Sequence, residues 1–367
     1  MRLIVEPEDG VKPLIDGIDR ATKSIEIAIF RFDRKEVERA LENAVRRGVF
    51  VHALIAETNC NDEKNLRKLE MRLLEKGMTV ARTSNDLVRY HGKMMIIDRQ
   101  ELFVLAFNFT RLDIDRSRSF GIVTRNRQLL QEAIKLFESD IKRQPYVPRN
   151  NKFLVSPINA REHLSKFLKG ARHELLIYDS KISDVAMIRI LEQRARAGVS
   201  IKIIGRVSKR SGALAGRKLA NRRLHTRTII RDRKQVFIGS QSLRELELDA
   251  RREVGVILRE ERVVNTIMRT FETDWSATEL SSREAEPEDA TVAVAKLAAK
   301  AAEVITKEMR PVVPMVEKVV QQVAGKATDI DLDHEELEAS VKDAVKQAVK
   351  VTVKDMVEEA AGQKESA

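Results

Sequence analysis

The chain carries one short pattern twice, and this repetition constrains its fold more than any other feature. The first copy spans residues 91–98 and the second spans residues 225–232. Each copy has a His, a cation two residues later and an Asp five residues after the cation. The residues of the pattern are His91, Lys93, Asp98, His225, Arg227 and Asp232. Because the second copy begins well over a hundred positions after the first, the pattern predicts two similar halves.

The repetition extends beyond these two segments. Gly48 and Gly198 each follow apolar residues at helical spacing, so each is typical of a helix end. The sequence Phe-Glu-x-Asp occurs at 137–140 and again at 271–274, which is the same separation as that of His91 and His225. The two glycines are further apart than the two histidines. The second half is therefore shorter than the first between its early strands and its His.

Apolar segments alternate with helical patterns along both halves. The segments 24–32 and 49–56 in the first half, and 174–178 and 199–204 in the second, predict strands. Strands that alternate with helices predict an α/β sandwich with a central sheet in each half. Gln144-Pro145-Tyr-Val-Pro148 is typical of a connector between the halves.

Two histidines and two cations suit the cleavage of a phosphodiester. One His can attack phosphorus while the other protonates the leaving oxygen. The two cations can neutralise the nonbridging phosphate oxygens. Covalent catalysis on a phosphodiester is therefore the chemistry that these residue types favour.

The pattern resembles the signature of the phospholipase D superfamily, which is His-x-Lys-x4-Asp followed after six residues by Gly-Ser-x-Asn. The resemblance covers roughly residues 1–280. It implies two phospholipase D-like α-β sandwich halves in a pseudo-twofold arrangement, with both His motifs at the seam. It also implies a phosphohistidine intermediate, formed with no metal and no other cofactor.

The resemblance assigns roles to the four central residues. His91 is expected to be the nucleophile, and His225 the general acid and then the base, although the residues alone leave this order open. Lys93 and Arg227 are expected to hold phosphate oxygens. Arg in the second motif keeps the charge, but it is longer and planar where the family has Lys.

The outer motif positions depart further from the family pattern. Asp98 and Asp232 belong to the motif, and we expect them to shape a turn more than to contact substrate. The run at 239–242 is Gly-Ser-Gln-Ser, with Ser in place of Asn, whereas the run at 105–108 is Leu-Ala-Phe-Asn. The candidate phosphate-binding residues in these runs are Asn108, Ser240 and Ser242.

One supporting acid is present and its counterpart is missing. Glu253 stands where the family often has an acid that supports a His. The matching position in the first half is Ser119, so that acid is expected to be absent. Each half is therefore incomplete, and we expect a composite site that remains catalytically competent.

Charge is distributed unevenly along the chain. Of 67 Lys and Arg residues and 56 Asp and Glu residues, 11 and 18 respectively follow position 283. The segment 1–283 therefore carries a net charge of +18, and the remainder carries −7. A body this basic favours polyanions as partners, either nucleic acid or an anionic membrane surface.

Three functions fit these observations. The leading interpretation is a phospholipase D-like phosphodiesterase or phosphatidyltransferase that acts on phospholipids. The second is a metal-independent nuclease of the same family, favoured by the basic body, although the aromatic content of 4% weakens base stacking. The third is a degenerate, non-catalytic polyanion-binding protein, favoured by the missing Ser and Glu of the first motif.

The domain prediction has three parts. Residues 1–143 and 150–280 form the two halves, and residues 284–367 form an acidic, Ala- and Val-rich helical tail. An apolar stripe in the tail predicts a surface for a protein partner or for self-association. The single cysteine, Cys60, and the lack of a long apolar run predict a cytoplasmic protein that is peripheral to the membrane at most.

Overall fold

The computed structural model describes residues 1–56, 63–84, 86–208, 211, 214–220 and 222–280. These residues fall in one compact unit, Met1–Ser282. The segment 284–367, with its expected helices and partner surface, lies outside the described residues, as does Cys60. Among the helices that the structure describes, none is long and apolar enough to cross a membrane.

Strands and helices alternate along the first half. Its strands are β1 (Arg2–Glu6), β2 (Ser24–Ala28), β3 (Phe50–Ile55), β4 (Thr79–Arg82), β5 (Arg89–Tyr90), β6 (Met94–Ile97), β7 (Glu101–Leu105) and β8 (Ser117–Thr124). Its helices are α1 (Lys12–Arg20), α2 (Lys35–Arg46), α3 (Glu63–Glu75), α4 (Arg111–Arg116) and α5 (Arg127–Ile141).

The second half repeats this order with small changes. Its strands are β9 (Phe153–Val155), β10 (Glu174–Ile182), β11 (Ser200–Val207), β12 (Gly216–Leu219), β13 (Arg223–Leu224), β14 (Arg227–Arg231), β15 (Gln235–Gly239), β16 (Arg251–Arg252), β17 (Val254–Leu258) and β18 (Thr278–Leu280). Its helices are α6 (Ala160–Lys169), α7 (Val185–Arg196), α8 (Glu245–Asp249) and α9 (Glu261–Ser276).

Each half has one large mixed sheet with a closely similar topology. The first sheet has the order β1-β8-β7-β6-β2-β3-β4, and the second has β18-β12-β11-β10-β14-β15-β17-β9. In both, three neighbouring strands are parallel, namely β2, β3 and β4 or β10, β11 and β12. In both, the strand that follows the motif His pairs antiparallel with the first of these. The duplicated α/β fold expected from the sequence is therefore confirmed.

Amphipathic helices cover the outer face of each sheet. On α2, Val37 and Leu41 are buried one helical turn apart, and their side chains pack into the outer core of the first half. The chain turns sharply after α2 and α7, where Gly48 and Gly198 have φ values of +85° and +87°. Only glycine adopts this backbone region without strain, which explains the paired glycines of the sequence.

A second core lies between the two sheets and is shared by both halves. It combines side chains of β6, β7 and β8 with those of β14, β15 and β17, together with α5 and α9. Phe120 and Ile96 from the first half and Ile238 from the second are fully buried there. Burying a side chain of this size contributes about 1.5–3 kcal/mol, so this core joins the halves into one unit.

The strand predicted at 24–32 is shorter than the apolar run. It ends at Ala28. Ile29 N–H still donates to Leu54 O of β3, but from Arg31 onward the chain bonds to the loop after β7. Arg31 N–H donates to Asn108 Oδ1 at 3.3 Å, and Asp33 N–H donates to Phe109 O at 3.0 Å. This turn places Phe30 against the first motif His, with ring centroids 5.1 Å apart.

Candidate active site

Each motif His directly follows a two-residue strand that pairs with a strand of the other half. Strand β5, just before His91, pairs with β16 of the second half, and β13, just before His225, pairs with β8 of the first. The amide of His91 donates to Arg252 O at 2.7 Å, and that of His225 donates to Arg118 O at 3.1 Å. The backbone therefore fixes both histidines at the seam, each against the opposite half.

The first His is held by the acid that the sequence singled out. Nδ1 of His91 lies 3.0 Å from the carboxylate of Glu253, which comes from the other half and is fully buried. Burial raises the pKa of Glu253. Burial, together with the nearby charge of Lys93, lowers the pKa of His91 well below its usual range. A neutral ring that donates from Nδ1 to Glu253 keeps the lone pair of Nε2 free.

The second His meets a carboxylate that the sequence reasoning missed. Nε2 of His225 lies 3.0 Å from Asp113 Oδ2, off the line of a hydrogen bond, so this contact is mainly electrostatic. Nδ1 of the same ring lies 3.2 Å from a guanidinium nitrogen of Arg223. Burial lowers the pKa of His225 to about 4, while Asp113 opposes that shift. The two histidines thus use different ring nitrogens to face their acids.

Asp113 is built into the site by its neighbours. It lies on the short helix α4, whose first turn is capped by Thr110 Oγ1. Its Oδ2 accepts from the backbone N–H of Asn108 at 2.9 Å and from the side-chain amide at 2.7 Å. Burial opposes ionisation of Asp113, but the contact with His225 and these two hydrogen bonds hold its pKa below the usual range.

The first half lacks an acid at the position that matches Glu253, as expected, but a different residue of that half supplies a carboxylate beside His225. Ser119 does occupy the position that matches Glu253, and its buried hydroxyl has no hydrogen-bond partner among the described residues. The carboxylate comes instead from Asp113, six residues earlier, on a helix that leads into the same strand. Asp113 occupies a different position of the repeat, so it supports His225 without being the counterpart of Glu253.

The counterpart of Asp113 in the second half is also an acid. Glu247 follows Asp113 at the same separation as His225 follows His91, lies on α8, and is almost fully buried. It accepts from the backbone N–H of Ser242 at 2.7 Å, as Asp113 does from Asn108. Its carboxylate lies 3.9 Å from Arg227 Nε and 3.5 Å from Arg251 Nη1. Asp113 and Glu247 are as far apart along the chain as the two histidines are. This shared separation is the sequence signal that could have identified both acids.

The two motif cations lie in the same buried space. Lys93 is fully buried, and its Nζ donates to His91 O at 2.6 Å. Arg227 is buried too, and its guanidinium donates to His225 O, while its Nε has no hydrogen-bond partner among the described residues. Burial lowers the pKa of Lys93 to about 7. Both cations are thus held by their own motif beside the histidines.

The three candidate phosphate-binding residues bond to protein groups in this structure. The amide of Asn108 is bonded to Asp113, and Ser240 Oγ accepts from Val254 N–H at 3.1 Å. Ser242 Oγ donates to Asp179, a third buried acid that the sequence did not single out. Burial raises the pKa of Asp179 to about 6. These polar groups therefore position the acids and strands around the histidines.

Asp98 and Asp232 lie at the far ends of the motif strands. The carboxylate of Asp98 accepts from the backbone N–H groups of residues 22–24 at 2.7–3.1 Å. That of Asp232 accepts from the N–H groups of residues 172–174 at 2.7–3.1 Å. Both residues have positive φ, 52° and 51°. Both residues therefore hold the turns between helix and strand, the role expected of them from the sequence.

The repeated Phe-Glu-x-Asp sequences also have a place in the seam. Asp274 accepts from Arg118 Nε at 2.7 Å, and Asp140 accepts from Arg252 Nη2 at 3.1 Å. In each pair the aspartate belongs to one half and the arginine to the other. The arginines are the same residues whose carbonyls anchor the motif histidines. The ion pairs therefore brace the backbone that carries each His.

Two curated relatives match a part of the chain. Mitochondrial cardiolipin hydrolase from Mus musculus is 26% identical over 131 residues, which are 36% of this chain and 58% of the relative. A phospholipase D from Rickettsia felis is 28% identical over 132 residues, which are 35% of this chain and 62% of the relative. The chain thus spans about 60% of the length of each of these relatives.

Solved structures show the same fold over most of the chain. Polyphosphate kinase from Porphyromonas gingivalis has a TM-score of 0.62 at 19% identity, and covers 75% of this chain and 50% of its own. Phosphatidylserine synthase from Haemophilus influenzae has a TM-score of 0.59 at 11% identity, and covers 84% of this chain and 95% of its own. At these identities the likeness extends to the fold alone.

A sequence family accounts for both halves. The family described as "Cardiolipin synthase, PLD-like domain" matches residues 14–141 and 164–275, which together are more than half of the chain. The matched ranges contain both His motifs and the acids that face them. This chain therefore belongs to that family, within the phospholipase D superfamily.

Proposed function

We propose that this chain is a phosphodiesterase or phosphatidyltransferase of the phospholipase D type, acting through a covalent phosphohistidine. One observation carries the proposal. Each motif His stands at the seam with a buried carboxylate that the opposite half supplies. Two buried cations, Lys93 and Arg227, lie beside them. A nucleophile, a second proton-handling group and two cations are the parts that phosphodiester cleavage needs.

In the first step, His91 acts as the nucleophile. Its Nδ1 faces Glu253, so the free lone pair is on Nε2, and burial keeps the ring neutral. A bond forms between Nε2 and phosphorus while the bond from phosphorus to the leaving oxygen breaks. His225 gives that oxygen a proton. Asp113 and the charge of the substrate phosphate favour the protonated form of His225.

In the second step, the phosphoryl group of the phosphohistidine is transferred. His225 takes a proton from water or from an alcohol as its oxygen attacks phosphorus, and the bond to Nε2 breaks. The charges of Lys93 and Arg227 compensate the nonbridging oxygens in both steps. Water as acceptor gives hydrolysis, and an alcohol gives transfer.

We propose phospholipids as the substrate class. This rests on the relatives, whose names are mitochondrial cardiolipin hydrolase and phospholipase D. Nucleic acid is the second candidate, and one observation favours it. The guanidinium groups of Arg31 and Arg89 lie 5.6 Å and 5.1 Å from the ring centroid of Phe30, which itself contacts His91. Cations just outside the site suit a substrate with further phosphates on either side.

Vesicles that contain cardiolipin or phosphatidylglycerol test this assignment. The wild-type chain is incubated with them in EDTA, and lipid products are followed by mass spectrometry, beside parallel reactions with single-stranded DNA and RNA. We expect lipid turnover that is lost in His91→Ala and kept in His173→Ala, since His173 is exposed and lies outside the seam that carries the motif histidines. Cleavage of nucleic acid alone would favour the nuclease. Binding without turnover of any substrate would contradict catalysis.

A further inference from the structure

A large groove runs along the seam between β1 of the first half and α9 of the second. Its volume is about 770 Å³, and its walls are formed by both elements. Arg118, which braces the second His, lies at its base. The groove takes no part in the chemistry proposed above, and the residues along its length are mostly polar and charged.

The duplication places an equivalent groove between β9 and α5, and there it is occupied. The connector between the halves, residues 144–149, runs along α5 without helix or strand structure. Tyr146 is buried in the shared core, and its hydroxyl donates to Glu132 on α5. Lys135 Nζ donates to Val147 O at 2.7 Å. A smaller space of about 260 Å³ remains open at the start of α5, beside Gln128 and Lys152.

The groove on α9 differs from the filled one in its charges. At the separation that relates the two halves, Arg269 and Thr266 on α9 take the places of Lys135 and Glu132. The cation is thus kept and the acid is lost. A further cation is gained, because Arg262 stands where α5 has Gln128. The wall of the groove on α9 is therefore basic where the wall on α5 is balanced.

These cations face solvent and form no ion pair within the described part of the chain. The side chains of Arg2, Arg262 and Arg269 are exposed, and none forms an ion pair with another described residue. Both acids of the groove are engaged elsewhere, since Glu8 pairs with Arg118 and Arg222, and Asp9 accepts from Val5 N–H at 2.8 Å. The strand that follows α9 leads away from the groove, because β18 pairs with β12 at the far edge of the second sheet.

We infer that this groove is a docking site for an acidic, extended peptide segment of a partner protein. The filled groove shows that this face of α5 holds an extended peptide through contacts of its side chains with the peptide backbone. Because the exposed arginines of α9 are positively charged, they favour an occupant with negative charge. This inference is independent of the proposed reaction.

A fluorescein-labelled peptide tests the inference. Its sequence, Glu-Asp-Gln-Pro-Tyr-Val-Pro-Glu-Asp, keeps the centre of the connector and adds acids, and a control peptide carries Lys in place of each acid. Binding to the full chain is followed by fluorescence anisotropy at low and high salt. We expect the acidic peptide to bind, more weakly as salt increases, and the basic peptide not to bind.

Two variants locate the site. Arg262→Glu with Arg269→Glu reverses two exposed charges seven residues apart on α9, and we expect affinity to fall about tenfold or more. The matched control is Arg189→Glu with Arg196→Glu, which makes the same change on the exposed face of α7 and is expected to leave affinity unchanged. Thr266→Glu, which restores the acid found on α5, should also weaken binding.

Three results would overturn the inference. The first is no binding of the acidic peptide to the wild-type chain, and the second is equal affinity in the two double variants. The third is displacement of the peptide by a single-stranded oligonucleotide whose binding depends on Arg262 and Arg269. That outcome would assign the groove to nucleic acid. Circular dichroism of each variant distinguishes a lost contact from a lost fold.

Discussion

At the scale of single residues, the two motif histidines are alike in sequence and different in surroundings. His91 faces a fully buried acid through Nδ1, and His225 faces a less deeply placed acid through Nε2. The difference arises because the two supporting acids come from different places in the repeat, Glu253 from a strand junction and Asp113 from a short helix. It provides a physical basis for unequal roles, which the motif alone leaves open.

The acid beside His225 leads to a paired test. Asp113→Asn removes the negative charge beside His225 and should lower turnover about 10- to 100-fold, the usual effect of losing a group that orients and balances a functional side chain. Ser119→Ala alters the position where the family has its acid, and it should leave turnover nearly unchanged. Steady-state kinetics on both variants would show equal losses if Asp113 had no such role.

The buried cation leads to a prediction on pH. Burial lowers the pKa of Lys93 to about 7, so its charge is lost as the pH rises through that value. We expect kcat/KM for an anionic diester to fall above about pH 7. Arg keeps its charge at any pH that proteins tolerate, so Lys93→Arg should move this fall to higher pH. A pH profile with the same falling limb in both proteins would point to another group.

The same shift affects stability with a definite sign. In the unfolded chain a Lys releases its proton near pH 10.4 on average. Between about pH 7 and this value the unfolded state therefore holds more protons at Lys93 than the folded state does. The contribution of Lys93 to the free energy of unfolding should thus rise with pH across that window. Urea unfolding of wild type and Lys93→Met at pH 7 and pH 9 measures the difference.

At the scale of elements, the sequence predicts most strands and helices and the turns between them. Helical spacing and paired glycines predict α2 and α7, because amphipathic packing and positive φ both leave clear signals. Strands β5 and β13 were not predicted. Each has only two residues, and each is stabilised by pairing with the other half. Such tertiary pairing leaves no local pattern, although it positions both histidines.

The motif aspartates lead to a prediction at this scale. Asp98 caps the backbone N–H groups of residues 22–24 and has φ of 52°, so Asp98→Ala should cost about 1–3 kcal/mol of stability through lost hydrogen bonds to a charged group. Asp98→Gly tolerates the positive φ, so it isolates the lost hydrogen bonds from the backbone strain. Both variants should keep most of their turnover under folded conditions. A loss of turnover without loss of stability would instead show that Asp98 has a catalytic role.

At the scale of the whole molecule, the two halves are joined by a shared core and by two reciprocal ion pairs. The family resemblance implied that both His motifs lie at the seam. In the structure each motif His follows a strand that pairs with the other half. The seam contacts themselves could not be predicted, because Arg118 with Asp274 and Arg252 with Asp140 lie far apart along the chain. A repeated Phe-Glu-x-Asp sequence indicated only that these aspartates are equivalent.

Breaking one seam pair should weaken the whole unit. Asp274 accepts from Arg118 and from the hydroxyl of Tyr178, both buried, so Asp274→Asn should lower the free energy of unfolding by about 3 kcal/mol. Glu272→Gln, on the exposed side of the same helix, should change it by less than about 0.5 kcal/mol. Urea unfolding measures both. Equal effects would show that the pair does not hold the seam.

If both halves share a single site, the turnover of bis(p-nitrophenyl) phosphate in EDTA depends on both motif histidines. We expect His91→Ala and His225→Ala each to lose turnover about 10³-fold or more, and the double variant to be no worse than the poorer single one, because residues that act as a unit are not additive. Substantial activity in either single variant, or losses that multiply in the double variant, would show that the two motifs work separately.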